Sequence, residues 1–418
     1  MGDDVITIEK ILAVPAVTGY YSDDQAAILA GAERDGFDYR GTSVTPGMSA
    51  VRQPGHAVSV MLILSDGQVA HGDCASVQYS GVGGRAPAFS AALGVQEVHA
   101  LETTLLGERV DRFQRLESIA VSALGAGHPA VLYGVSQALL HAAALANSRT
   151  IAEQVQFEYN LANPLAPVPI FAQSGESPYD NVDKMILREI DVLPHGLINS
   201  MDKVGPDAAT LLDYVQWVAN RVISRRGDDH YNPVLHFDLY GTLGRLRERN
   251  LSKVASDLAR LKEAAGPFTL QIEGPIDLGS RAAQIDGLSE LKVLLRKQGT
   301  DVTIVADEWC NSLDDVRAFV RHEAADMIQV KTPDLGSVDA VIKALVICRE
   351  NGVRAYAGGT CNETDRSAQI TTNIAVACGV AQTLAKPGMG VDEGYMIVSN
   401  EMGRLLALSA ARKLGVTA

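Results

Sequence analysis

From about residue 165 onward the chain repeats one pattern. A short apolar run is followed by a turn rich in Gly, Pro, Asn and Asp, then by a stretch whose apolar residues recur every three or four positions. The short runs are 168–173 (VPIFAQ), 191–199 (DVLPHGLIN), 234–240 (VLHFDLY), 268–273 (FTLQIE), 302–307 (VTIVAD), 327–331 (MIQVK), 353–357 (VRAYA) and 381–386 (AQTLAK), eight in all. Between them, segments such as AATLLDYVQWVANRVISR and VDAVIKALVICREN carry the period of amphipathic helices. Eight strands alternating with helices predict an α/β fold built on a TIM-type (β/α)8-like barrel, whose function gathers at the C-terminal ends of its strands. A Rossmann sheet is disfavoured, because no G-x-G-x-x-G follows the first strand and the units number eight.

Residues 1–160 read differently. AVSVMLILSDGQVAHGDCASV predicts two strands joined around Ser65-Asp66-Gly67. Alanine-rich helical text follows, YGVSQALLHAAALA, giving an α+β domain ahead of the barrel. With 418 residues the chain is long enough for two such units, and the three prolines of NLANPLAPVPI (160–170) mark the boundary, leaving 161–418 to the barrel. YSGVGGR (79–85) lacks the G-K-[ST] ending of a phosphate-binding loop and is expected to be a mobile surface loop or a lid.

A net charge of −14 argues against nucleic acid and anionic membrane as partners, because both would be repelled over most of the surface. A small solute fits better. The five cysteines are scattered and never form C-x-x-C, which suggests reduced thiols in a cytoplasm. The acidic N-terminus has no signal-peptide pattern, and no run of about 18 apolar residues is evident, so a membrane-spanning segment is not expected.

Side chains two apart on a strand share a face. In LHFDLYG this rule sends Leu235, Phe237 and Leu239 one way and His236 with Asp238 the other; Glu273 and Asp307 take the matching inward places in LQIEGP and TIVADE. Three successive strands thus deliver Asp238, Glu273 and Asp307 to one rim. Carboxylates so crowded would repel one another unless a cation lay among them, and all-oxygen ligation favours Mg²⁺ over zinc. Taken singly, each acid is an ordinary turn residue; the triplet in register is what points to a metal site.

The same alternation turns Gln329 and Lys331 inward on the next strand. A lysine beside a cation and partly desolvated is suited to act as a neutral base, although an ion pair serving stability alone would look the same in sequence. Metal and base together suit removal of a C–H proton next to a carboxylate, the cation absorbing charge as the carboxylate becomes an enolate. His195, at the end of the second strand between Pro194 and Gly196, is expected to be a second acid/base group opposite Lys331, or else a histidine of the barrel wall. In YAGGTCNET, Gly358 and Gly359 allow close backbone approach, and Thr360 with the Cys361 amide could hydrogen-bond an anion; a plain tight turn is the alternative. Cys361 is read as a binding residue rather than a nucleophile.

The motifs DKMILREIDVLPHGLIN, LHFDLYGT, IEGPID, VADEWCN, QVKTPDLG, GGTCNET and KPGMGVDEG, in that order, resemble the enolase superfamily and, within it, the methylaspartate ammonia-lyase family. The resemblance covers nearly the whole chain. It implies a capping role for the N-terminal domain and Mg²⁺ held by Asp238, Glu273 and Asp307. Lys331 would remove the C3 proton of L-threo-3-methylaspartate, with His195 serving the opposite face. Ammonia would leave C2 to give mesaconate, in reversible fashion. Gln329 and His195 would hold the metal-bound carboxylate, Gln173, Thr360 and the Cys361 backbone the other carboxylate, and Gln78 would lie near the amino group. The family also implies a homodimer or higher homo-oligomer, and K⁺ as a monovalent activator. Rival readings are a racemase or acid-sugar dehydratase with the same metal and base, and a non-catalytic Mg²⁺ and dicarboxylate binder.

Overall fold

The structure, a computed structural model, describes residues 5–82, 84–125 and 127–413. The N-terminal portion is built on β1 (Ile8–Asp23), β4 (Arg52–Leu64) and β5 (Val69–Cys74), paired antiparallel in the order β1-β4-β5. A small separate hairpin joins β2 (Glu33–Asp35) to β3 (Asp38–Arg40). In β4, Val58, Val60, Leu62 and Leu64 are buried while the residues between them are half-buried, the period-two pattern of a sheet with one covered face. The expected turn lies where the sequence places it: Gly67 has φ of 84° and its N–H donates to Leu64 O at 2.9 Å.

The alanine-rich text forms the helix Pro129–Ala146, which packs on β4 and β5. A Cβ on Gly72 of β5 would lie 2.2 Å from Gly134 O of this helix, so small residues set how closely helix and sheet approach. By length and mean hydropathy the helix could cross a bilayer, although Ser136, Gln137 and His141 interrupt its apolar run; 72% of it is buried inside the protein. It is apolar nearly all round because protein surrounds it.

Strands β6 (Ile170–Phe171), β7 (Val192–His195), β8 (Val234–Asp238), β9 (Leu270–Glu273), β10 (Thr303–Ala306), β11 (Met327–Val330), β12 (Arg354–Ala357) and β13 (Gln382–Leu384) close into a barrel in chain order. Every neighbouring pair is parallel. All eight fall within the runs read from sequence. The alternation also holds: Leu235, Phe237, Ile272, Ile304, Ile328 and Val330 join the main core. Phe171, Val192, Val305, Met327, Tyr356 and Leu384 form a separate apolar cluster, as side chains filling a barrel interior do.

The N-terminal portion meets the barrel at the C-terminal end of β12. Gly19 N–H donates to Glu363 O (2.8 Å), Gln78 N–H to Thr360 Oγ1 (3.3 Å), Asn362 Nδ2 to Ser22 Oγ (3.1 Å), and the Tyr133 hydroxyl to Glu363 Oε2 (2.7 Å). The segment that receives them is fixed from below by the helix Asp365–Cys378, whose N-cap Thr364 accepts from Ser367 N–H.

Candidate active site

Asp238 ends β8, Glu273 ends β9 and Asp307 follows β10, three adjacent staves. Their nearest oxygens all lie within 4.8 Å of one another, and all three residues are buried. Burial first, then repulsion from Glu273 and Asp307, holds the Asp238 carboxyl well above the usual range; burial and Asp307 do the same to Glu273. Neither has a lysine or arginine among its ion-pair partners in the described residues: Asp238 faces His195 Nε2 at 3.5 Å and accepts from Tyr240 N–H at 3.1 Å. Two buried acids without a matching cation, joined by a third in one oxygen-only cluster, fit a hard divalent ion.

Glu273 is oriented by groups that sequence reasoning left without a role. His236 Nδ1 accepts from Gln382 Nε2 (3.0 Å), so its proton sits on Nε2, which faces Glu273 Oε2 at 2.9 Å. The Tyr356 hydroxyl donates to the same oxygen at 2.7 Å, and Gln329 Nε2 to Oε1 at 2.5 Å. Phe171 stacks on the His236 ring at 4.2 Å, locking it. A signal existed for both residues, since His236 and Tyr356 occupy inward places of the strand alternation one level below the rim.

Lys331 extends from the end of β11 and pairs through Nζ with Asp307 Oδ1; it is 5% exposed. β7, which carries His195, stands four places round an eight-strand ring from β11, so His195 and Lys331 face each other across the mouth. Burial pushes the His195 imidazole down to about 3, and its Nδ1 accepts from Leu197 N–H at 3.3 Å. His195 therefore points a neutral Nε2–H at the chamber. That makes it a hydrogen-bond donor more readily than a base.

Arg85 was not anticipated. The Gly-rich segment keeps Gly81 and Gly84 exposed, yet Tyr79 and Ser80 are buried and the Arg85 side chain, 9% exposed, turns inward. Its guanidinium lies 3.8 Å from Asp307 Oδ2 and 3.5 Å from Asp334 Oδ2. The segment thus keeps exposed glycines while attraction to buried carboxylates draws its end into the site. Gly83 lies outside the described residues. Glu308 also belongs here, buried beside Asp307, with burial and then that neighbour pushing its carboxyl up to about 8.

A cavity of about 60 Å³ gathers Gln78, Arg85, Gln173, His195, Asp238, Asp307, Gln329, Lys331, Thr360 and Cys361 in its wall, with Glu273 buried against Gln329. Thr360 Oγ1 accepts from Gln78 N–H and Asn362 N–H (3.2 Å) and contacts Cys361 Sγ at 3.9 Å, a weak acceptor from which its proton can turn to an anion. The glycines before it are needed: a Cβ on Gly358 would meet Gln329 Cγ at 2.6 Å, and Gly359, at φ 134°, would meet Glu363 and Lys386. Cys361 is buried, its thiol pushed up to about 12 by that burial, so it is no thiolate nucleophile. Gln173 donates Nε2 to Ala385 O at 3.3 Å. Gln329 uses its amide nitrogen on Glu273 and Tyr356 and keeps an unpartnered Oε1 among the described residues, so contact with a substrate carboxylate requires its amide to turn.

Two family models, the methylaspartate ammonia-lyase N-terminus over residues 6–160 and the methylaspartate ammonia-lyase C-terminus over 163–411, together match almost the whole chain. The chain belongs to the methylaspartate ammonia-lyase family. Among its methylaspartate ammonia-lyase relatives, that of Clostridium tetanomorphum is 48% identical over 412 residues, covering 97% of this chain and 100% of that protein. That of Citrobacter amalonaticus is 44% identical over 407 residues, covering 96% and 98%. A crystal structure of the Clostridium tetanomorphum β-methylaspartase, a Mg complex, superposes with a TM-score of 0.90 at 47% identity, covering 97% and 100%. The Citrobacter amalonaticus methylaspartate ammonia-lyase crystallised with (2S,3S)-3-methylaspartic acid gives 0.94 at 43% identity, again covering 97% and 100%. At 14% identity, muconate lactonizing enzyme from Pseudomonas fluorescens (TM-score 0.62, covering 89% and 85%) shares the fold.

Proposed function

We propose that this member of the methylaspartate ammonia-lyase family eliminates ammonia from L-threo-3-methylaspartate to give mesaconate, reversibly, and that residues 161–418 carry the reacting groups while 1–160 cap them. The observation that supports it most is the buried rim of three carboxylates with Lys331 next in line and His195 across the mouth. Asp238, Glu273 and Asp307 would hold a divalent ion such as Mg²⁺, which when bound would supply positive charge to the substrate carboxylate. Lys331, in its neutral form, takes the C3 proton; the C3–H electron pair becomes the C2–C3 double bond, and the C2–N bond breaks. The amino group departs as ammonia already carrying its protons, so no strong acid is required of the protein. His195 Nε2–H steadies the carboxylate nearest the metal ligands, together with Gln329 once its amide has turned. Thr360 Oγ–H, Gln173 and the Cys361 backbone hold the other carboxylate, and Gln78 receives the amino group.

The rival dehydratase and racemase readings share the metal and base, but the match over both halves of the chain favours the lyase. A binder without chemistry has no use for a buried lysine at the rim. On family membership the reading extends to a homo-oligomer in the cytoplasm, assisted by K⁺. Its test is an ultraviolet assay for the conjugated product on adding 3-methylaspartate with Mg²⁺: absorbance should rise, and chelator should abolish the rise. Absence of both product and C3 deuterium exchange would reject the assignment.

A further inference from the structure

Beside the reaction chamber lies a larger cavity of about 420 Å³, between the N-terminal portion and the barrel loops near residues 175–179 and 196–203. The two spaces have Gln78, Tyr79 and Met389 in common, so Gln78 stands in the partition between them. Its amide is held at both ends. Nε2 donates to Asp23 Oδ2 at 2.9 Å, and Oε1 accepts from Cys361 Sγ at 3.3 Å. Asp23, 2% exposed, is gripped in bidentate fashion by Arg52, with Nε to Oδ1 at 2.7 Å and Nη2 to Oδ2 at 2.8 Å. Arg52 in turn donates Nη1 to Phe37 O (2.6 Å) and lies 4.4 Å from the Phe37 ring centroid.

The chemistry of this chain is directional. An ionised carboxylate can only accept, so Asp23 selects the amino end of the Gln78 amide and turns the carbonyl end toward Cys361 and the reaction chamber. A thiol is a weak donor, easily displaced from Oε1 by a substrate N–H. We propose that Asp23, clamped by Arg52, is a positioning residue: it fixes the Gln78 amide so that its oxygen receives the substrate amino group, or ammonia in the reverse addition. This rests on the lyase reading above and deepens it.

The test compares ligands that carry nitrogen with one that does not. Asp23→Ala should raise KM about tenfold for 3-methylaspartate and for ammonia, the size of one well-aligned hydrogen bond lost. Inhibition by mesaconate, which lacks the amino group, should stay within about twofold of wild type. Because Asp23 acts through Gln78, the Asp23→Ala/Gln78→Ala pair should lose no more than Gln78→Ala alone, the mark of a coupled pair. Asp23→Leu, which keeps the volume but offers no acceptor to the amide, should show the same split and covers the case in which the alanine variant fails to fold. Parallel weakening of mesaconate, multiplicative losses in the double variant, or an unchanged ammonia KM in Asp23→Leu would each overturn the inference. Wild-type protein inactive on 3-methylaspartate would instead reject the lyase reading, so the two failures are distinguishable.

Discussion

Replacing His236 by Phe isolates one hydrogen bond behind the proposed metal site. The ring is fully buried and stacked on Phe171, so a phenyl group keeps the volume and the stack while removing the Nε2–H that faces Glu273 Oε2. Tyr356 and Gln329 still donate to the same carboxylate, which should therefore remain in place but less firmly aimed. Removing a partner that orients a metal ligand typically weakens metal binding about 10- to 100-fold, or about 1.4–2.7 kcal/mol. A hydrogen bond to a charged acceptor, about 1.5–3 kcal/mol, gives the same range. Gln382 also loses its acceptor, so a fall in Tm accompanies the change. The assay is calorimetric titration with Mg²⁺, alongside turnover as a function of Mg²⁺. Expected are a right-shifted titration and a kcat recovered to within a few-fold at saturating metal. A folded variant with wild-type Mg²⁺ affinity would refute the idea that this network aims Glu273.

Lys331→Ala should reduce turnover of the threo substrate at least about 10³-fold, as expected for loss of a transition-state group, while Mg²⁺ affinity is largely kept because the lysine is not one of the proposed metal ligands; wild-type-like rates would remove the proposed base. Glu117, buried at 3% exposure and pushed up to about 8 by that burial, binds a proton in the folded protein that the unfolded chain releases near its ordinary value of 4.5. Between those values the folded state holds more protons, so stability falls as pH rises from about 4.5 to 8 and levels off above. Glu117→Gln should remove that component, its Tm advantage over wild type growing across the same window; a pH-independent difference would count against it.

The eight barrel strands, their inward alternation and the carboxylate triplet were all legible in the sequence. Each is a local property: a period of two along a strand, a period of 3.6 along a helix, a turn between them. Asp238, Glu273, Asp307 and Lys331 end consecutive strands, so adjacency in the chain order became adjacency in space once the barrel closed. Arg85 and Asp23 gave no comparable signal. Both belong to the N-terminal portion: the partners of Arg85, Asp307 and Asp334, are set by how that portion lies over the barrel mouth, and those of Asp23, Arg52 and Gln78, by the pairing of β1 with β4 and the course of the chain after β5. No short-range pattern encodes such contacts. The inward turn of Arg85 at the end of the Gly-rich segment was hidden for the same reason: glycine content describes what a backbone can do, whereas the pull of buried carboxylates on Arg85 exists only after folding. The order of residues thus determined which groups line one rim and what chemistry they suit. Tertiary structure alone decided which groups aim them, because orientation depends on hydrogen bonds between segments that only packing brings within about 3 Å of one another.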